Sequence, residues 1–282
     1  MTTHTINSFD NYPIVVHEFK PQTPNQKTVV FAPAVAVPQK FYFNMAKYLA
    51  NKGCNVFTFD YRSIGYSRSQ NIKYLKDHGY FSWALDFKTI SKYAKEKFPN
   101  NQQYMIGHSY GGNSIGFSDA HQYYDKYLTI ASQFGYYKHF SLKMKLLIHL
   151  NFRLFVPITT TLLGYYPSNW FGLGSPLTTK TAKDWATFLL HPDSMLHFTK
   201  GNNTTYYEDI KAPMLLISIE DDLFAPKKSV DILGKRVYNN ANITRKHITP
   251  SDYNLKTIGH FDFFRIKNQD ILWPLINEWF QL

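Results

Sequence analysis

Short apolar, β-branched runs alternate with helix-patterned stretches along most of this 282-residue chain, and that alternation constrains the fold more than any other feature. Residues 28–33, 56–61, 104–106, 128–131, 214–219 and 243–248 read as buried strands. Between them, 41–51 reads as a helix closed by Gly53, and Trp83, Phe87, Ile90 and Ala94 recur at helical spacing. A further helix is expected from Gly111 onward and a last one over 271–280. None of the strands shows a strict alternation of apolar and polar residues, so both faces of the sheet must be covered. The expectation is an α/β fold, a mostly parallel central sheet with helices on both faces. Only the start differs: 6–10 and 13–19 flank the turn-forming pair Asp10-Asn11 and predict an antiparallel hairpin.

The alternation lapses between the strands near 130 and 214. Residues 140–156 are helix-like and aromatic-rich, Gly164, Pro167 and the 172–176 segment are breakers, and 181–190 reads as another helix. This predicts a helical cap over 135–204 inserted into a core of 1–134 and 205–282. Within the insertion, Phe140, Leu142, Leu146, Leu147, Leu150, Phe152 and Phe155 could line a pocket or seal the cap against the sheet; sealing is the plainer reading.

A single cysteine allows no internal disulfide, and no Cys/His cluster has metal-ligand spacing, so burial alone must hold the fold. Cys54 reads as a buried thiol at a strand edge. The formal charge of +11 raises nucleic acid as a partner, but the basic residues form no stripe. Their tightest groupings are Lys92, Lys95 and Lys97 around Glu96, and the pair Lys227-Lys228, so no nucleic-acid partner is expected. Locally the charge is more informative: Lys138, Lys143, Lys145, Arg153, Lys180, Lys183 and Lys200 in the insertion face only Asp184 and Asp193. The most apolar stretch, 143–166, is interrupted by His149, Asn151, Arg153 and Pro157, which argues against a membrane span. The first residues carry neither a basic nor an apolar signal region, and a cytoplasmic location is the expectation.

Chemistry enters at Gly107-His108-Ser109-Tyr110-Gly111, a G-x-S-x-G string that follows one expected strand and opens an expected helix. A serine raised on so sharp a turn needs glycines two residues to either side, because side chains there would collide as strand and helix close together. Serine becomes a useful nucleophile only beside a base, and the base needs a carboxylate to fix its tautomer. Glu220-Asp221-Asp222 stands at the carboxyl end of the 214–219 strand, and Gly259-His260 precedes the last helix. Asp221 and Asp222 are both candidates for that carboxylate; the family resemblance given next implies Asp222, by its spacing to Pro226, which would leave Asp221 a solvated neighbour. His108 adjoins the nucleophile and cannot fold back as its base, so it lines the pocket or packs; His191 and His197 read as surface or packing residues.

With Ser109, Asp222 and His260 in that order, the chain resembles the α/β-hydrolase superfamily over nearly its whole length, and in particular a bacterial branch of predicted serine hydrolases. The resemblance is carried by 29–34, 58–67, 107–112, Asp222-Leu223-Phe224-Ala225-Pro226 and Gly259-His260. It implies a Ser-His-Asp triad and an oxyanion hole made by the backbone N–H groups of Val35 and Tyr110. Two departures stand out. Pro33-Ala34 occupies the usual His-Gly positions, which a backbone donor tolerates, and Ser63 replaces a usual glycine, which bears on loop conformation more than on chemistry.

The function implied is cleavage of an acyl ester or thioester through an acyl-serine, in the manner of a carboxylesterase, on a small neutral or anionic acyl substrate. An acyltransferase would share every residue named, and a peripheral membrane lipase would use the basic, aromatic insertion as a surface anchor. Peptidase activity ranks lower, because relatives that grip an N-terminal amine need carboxylates that this insertion hardly offers. A non-catalytic binding module ranks lower too, because it would have no need of both Ser and His. No cofactor is expected: Gly172-Leu173-Gly174 lacks the third glycine and preceding strand of a dinucleotide site.

Overall fold

Most of the strands expected to be buried are so over most of their length in a computed structural model that describes residues 1–200 and 204–282; the exception is 243–248, where only Ile248 is buried because that strand lies at the edge of the sheet. In chain order they are β1 (Thr2–Asn7), β2 (Pro13–Phe19), β3 (Lys27–Ala32), β4 (Asn55–Phe59), β5 (Gln102–His108) and β6 (Lys126–Ile130). After these come a two-residue ribbon of β7 (Tyr165–Tyr166) with β8 (Leu177–Thr178), and then β9 (Met214–Ile219) and β10 (Ile243–Ile248). Apart from the ribbon they form one eight-stranded sheet in the order β1-β2-β4-β3-β5-β6-β9-β10. The β1/β2 and β2/β4 pairs are antiparallel and every other pair is parallel. Every residue of β4 and β9 is buried, as is all of β5 after Gln102, which requires cover on both faces. The expected hairpin forms, but its first strand ends at Asn7. Ser8 to Asn11 make the turn, with Asn11 at φ 64° and the Ser8 N–H donating to the Tyr12 carbonyl at 2.9 Å.

The core helices follow the apolar spacing. The first, α1 (Phe43–Asn51), buries Met45, Ala46, Leu49 and Ala50, and α2 (Tyr80–Lys97) buries Trp83, Phe87, Ile90 and Ala94. The expected helix after Ser109 is a single turn, α3 (Tyr110–Asn113), which tightens into a 3₁₀ turn over Ser114–Phe117 as the Ser114 hydroxyl takes the Gly111 carbonyl at 3.0 Å. Arg62, fully buried after β4, bonds Asp86 of α2 at 2.7 Å and Asp10 of the hairpin turn at 2.6 Å, so one guanidinium ties three segments together. Cys54 is buried, and burial pushes its thiol up to about 11, which leaves it inert.

Between β6 and β9 the chain leaves the sheet. There α4 (Leu142–Leu150), a π-helical turn over Asn151–Phe155 and α5 (Val156–Leu163) run on without a break, and α6 (Thr179–Leu190) follows. The 22-residue stretch Leu142–Leu163 extends well past the expected end at 156, and by length and composition it is apolar enough to cross a membrane. Pro157 does not break it, because it comes directly after the π-helical turn over Asn151–Phe155, where the regular hydrogen-bond ladder is already interrupted and the missing N–H and the ring are accommodated. Met144, Ile148, Phe152 and Val156 seat its inner face on the rest of the molecule. The far end of the expected cap, residues 201–203, lies outside the described residues. Beyond β9 come α7 (Lys227–Arg236), α8 (Gln269–Leu272) and α9 (Pro274–Phe280). The expected final helix is thus two pieces, divided where Pro274 removes a donor.

Candidate active site

Ser109 stands at the carboxyl end of β5 with φ 50° and ψ −116°, a backbone region that side-chain-bearing residues rarely occupy. Its N–H continues the sheet ladder to the Ile130 carbonyl at 2.9 Å, while its own carbonyl accepts from Gly112 and Asn113 and opens α3. The two glycines act at different places. A Cβ on Gly111 would lie 1.9 Å from the Ala32 carbonyl oxygen at the end of β3, and one on Gly107 would lie 2.6 Å from the Gly112 backbone. Close approach of the elbow to the neighbouring strand, and of strand to helix, therefore excludes side chains at both.

Asp222 follows β9, and its carboxylate is fixed by three donors. Oδ1 accepts the N–H groups of Phe224 (2.8 Å) and Ala225 (3.0 Å), and Oδ2 lies 2.8 Å from Nδ1 of His260. A carboxylate held this way keeps the proton of a neutral imidazole on Nδ1 and leaves the Nε2 lone pair free. His260 lines the same cavity as Ser109. The Ser109 hydroxyl makes no hydrogen bond among the described residues, so no other partner fixes its direction.

Asp221 is not the solvated neighbour that spacing suggests. Its two carboxylate oxygens accept the Ile258 and Gly259 N–H groups, each at 2.9 Å, and pin the backbone that carries His260. The adjacent aspartates thus divide the work, one on the imidazole and one on its loop. A bend after β9 that aims consecutive side chains at two parts of one loop has no signature in local sequence.

His108 packs rather than lining the cavity, and it is fully buried. Tyr42 Oη accepts the Ala34 N–H at 3.0 Å and lies 2.8 Å from His108 Nδ1, while His108 Nε2 lies 2.9 Å from the His260 carbonyl. A carbonyl only accepts, so Nε2 carries the proton and Nδ1 takes that of Tyr42. Burial, with His260 alongside, holds His108 well below its ordinary value and keeps it neutral. The chain of bonds ties the loop after β3 to the elbow and to the histidine loop.

That bond also occupies the Ala34 amide. Val35 and Ala36 form the turn beyond it, closed by the Val37 N–H on the Ala34 carbonyl at 3.2 Å, with Ala36 at φ 63°. The N–H groups of Val35 and Tyr110 find no acceptor among the described residues, and both residues line the cavity with Ser109. Two unspent donors beside a serine hydroxyl are an arrangement able to hold a developing oxyanion.

The cavity encloses about 740 Å³. Five of the seven insertion residues named from sequence, Phe140, Leu147, Leu150, Phe152 and Phe155, line it; Leu142 and Leu146 face outward. Lining therefore prevails over simple sealing. Among the described residues no aspartate or glutamate lines it, and Arg265 stands there. Asp184 and Asp193 are spent on Lys180 and Lys200. His191 and His197 pack against each other with ring centroids 4.0 Å apart and the rings tilted by 39°. Sequence reading missed Asn113 and Gln133, two of the three side-chain amides on the cavity wall with Asn151; the Gln133 N–H donates to Asn113 Oδ1 at 3.1 Å, and the buried Gln133 Oε1 has no partner. Nothing in their local sequence marks them.

A family model described as serine aminopeptidase, S33, matches residues 23–160, a span that holds Ser109 and ends before Asp222 and His260. No curated protein sequence matches the chain. Among solved structures, the chain is similar to the esterase EaEST from Exiguobacterium antarcticum (TM-score 0.64, 12% identity, covering 100% of both chains). It is similar to an esterase from Pyrococcus furiosus (TM-score 0.61, 17% identity, 99% of this chain and 90% of that one). Est1E from Butyrivibrio proteoclasticus, solved with ferulic acid bound, gives TM-score 0.61 at 16% identity over 99% and 98% of the two chains. At these identities the likeness bears on the fold.

Proposed function

We propose that this chain, which has the fold of the α/β hydrolases and matches a serine hydrolase family model over residues 23–160, is a serine hydrolase that cleaves an acyl ester or thioester. In this reading Ser109 Oγ attacks the acyl carbonyl as His260 Nε2 takes its proton, and Asp222 stabilises the imidazolium. The Val35 and Tyr110 N–H groups hold the tetrahedral oxyanion. As the bond to the alcohol or thiol breaks, His260 returns the proton to that leaving group. Water then attacks the acyl-serine with His260 again as base, releasing the acid and restoring Ser109. The stretch after β6 serves as a cap whose inner face forms the acyl wall.

The observation that carries the reading is the shared cavity: Ser109 and an Asp222-bonded His260 open into one apolar chamber walled by Phe140, Phe152 and Phe155. Aminopeptidase activity is disfavoured by charge, since an N-terminal ammonium would meet Arg265 and no carboxylate on the described wall. The test is a panel of 4-nitrophenyl esters from acetate to decanoate, acyl thioesters and aminoacyl amides, run on wild type and Ser109→Ala. Ester turnover with a medium-chain optimum, abolished in Ser109→Ala, is expected. Retention of full ester hydrolysis by Ser109→Ala, or turnover confined to aminoacyl amides, would refute it.

A further inference from the structure

The outer face of the Leu142–Leu163 helix is unusual for a surface in water. Leu142, Leu146, Leu150, Leu154, Ile158 and Leu162 fall at every fourth position, and all six are between 44% and 77% exposed. A continuous exposed row of this kind marks a contact surface rather than scattered apolar residues. Trp170, 66% exposed, extends it. Its neighbour Phe171 packs on Phe155 of the helix with ring centroids 5.4 Å apart.

We propose that this face docks on an anionic lipid bilayer surface, lying along it and delivering an acyl chain from the lipid into the Ser109 cavity. Charge selects the occupant. The helix carries Lys143, Lys145 and Arg153 and no acid, and none of the three has an ion-pair partner among the described residues. The insertion's two acids are already neutralised, so nothing there repels an anionic headgroup. Apolar residues with flanking cations on one helix match the interfacial class of membrane helix. The inner face is packed through Met144, Ile148, Phe152 and Val156, so the helix lies on the bilayer and does not span it.

Continuity with the cavity is the second argument. Leu147 and Leu150 are each 47% exposed and also line the chamber that holds Ser109. An acyl chain leaving the bilayer would stay in apolar contact from the outer face to the nucleophile. A second copy of the chain on this face would instead cover that entrance. The delivery step rests on the ester-hydrolase reading; the docking step does not.

Docking is therefore measured on Ser109→Ala protein by co-sedimentation with phosphatidylglycerol/phosphatidylcholine vesicles and with pure phosphatidylcholine vesicles. Binding to the anionic vesicles, weakened at 0.5 M salt, is expected. Charge reversal in Lys143→Glu/Lys145→Glu should weaken it by more than about twentyfold, at roughly fivefold for each cation lost near the surface. Leu146→Glu/Leu154→Glu/Leu162→Glu, whose sites face away from the cavity, should abolish sedimentation and leave circular dichroism unchanged. Made in the Ser109 background, the triple variant should hydrolyse a water-soluble butyrate ester at the wild-type rate while losing turnover of the same acyl group in vesicles. Failure to sediment with anionic vesicles overturns the proposal, as does a concentration-dependent dimer that the triple variant dissociates. Sedimentation as expected with no ester turnover by wild type would instead refute the catalytic reading and leave docking standing.

Discussion

Replacing Asp221 and Asp222 separately by asparagine separates the two tasks assigned to them. Asparagine at 222 can still accept from Phe224 and Ala225 through its oxygen, but it turns an NH₂ toward His260. Nδ1 must then accept, the ring proton moves to Nε2, and no base remains for Ser109. The expected loss is about ten thousandfold in kcat with little change in stability, since both backbone bonds survive and the third is kept with its direction reversed. Asparagine at 221 has one oxygen for two amides, Ile258 and Gly259, so one charge-assisted bond is lost and an NH₂ faces an N–H. Such bonds contribute about 1.5–3 kcal/mol. A loss near 2 kcal/mol lowers the melting temperature by about 4 °C in a chain of this size. Because Asp222 still holds the imidazole and His108 still holds the His260 carbonyl, kcat should fall no more than about tenfold. The assay is initial-rate kinetics on a soluble ester alongside urea and thermal unfolding. A ten-thousandfold loss in Asp221→Asn with activity retained in Asp222→Asn would refute the assignment, and so would equal losses with no change in stability.

Ser63 sits at φ 68° with its buried hydroxyl unpartnered, so Ser63→Gly should raise stability by about 1 kcal/mol, read as a higher urea midpoint; a lower midpoint would sink the argument. His108 is neutral in the folded chain, whereas the unfolded chain takes up its proton below about 6.5. The unfolded state therefore binds the extra proton, and stability falls with pH below that value by up to about 1.4 kcal/mol per unit. His108→Gln can keep both hydrogen bonds without titrating, so urea unfolding at pH 7.5, 6.5 and 5.5 should show a smaller decline than wild type; equal declines would contradict this. Gly111→Ala drives a Cβ against the Ala32 carbonyl and should cost about 3 kcal/mol or more, whereas a melting temperature within 2 °C of wild type would show the elbow can relax.

How much of this was legible in sequence depends on how local the cause is. The sheet's composition, the elbow with its two glycines and the His loop follow from short-range patterns: apolar runs, a strand-turn-helix junction and a Gly-His turn. The extent of the Leu142–Leu163 helix was less legible, because His149, Asn151, Arg153 and Pro157 look like interruptions in one dimension. On a helix His149 and Arg153 share one face and Asn151 takes the opposite one, so none of them interrupts the winding, and Pro157 falls directly after the π-helical turn.

The rest was decided by tertiary structure. Asp221 and Asp222 are chemically alike and adjacent, and only the crossing of the β9 loop with the 258–260 segment gives one the backbone and the other the imidazole. His108 is beside Ser109 in sequence, yet it acts on His260 because parallel packing of β3 and β5 brings Tyr42 and the histidine loop around it. Likewise, that Leu147 faces the cavity while Leu146 faces out depends on which side of the helix meets the core. Sequence by itself determined which chemical groups this protein has and roughly where along the sheet they stand. Their partners were set by contacts between residues far apart in the chain, which only the packed fold brings within hydrogen-bonding distance.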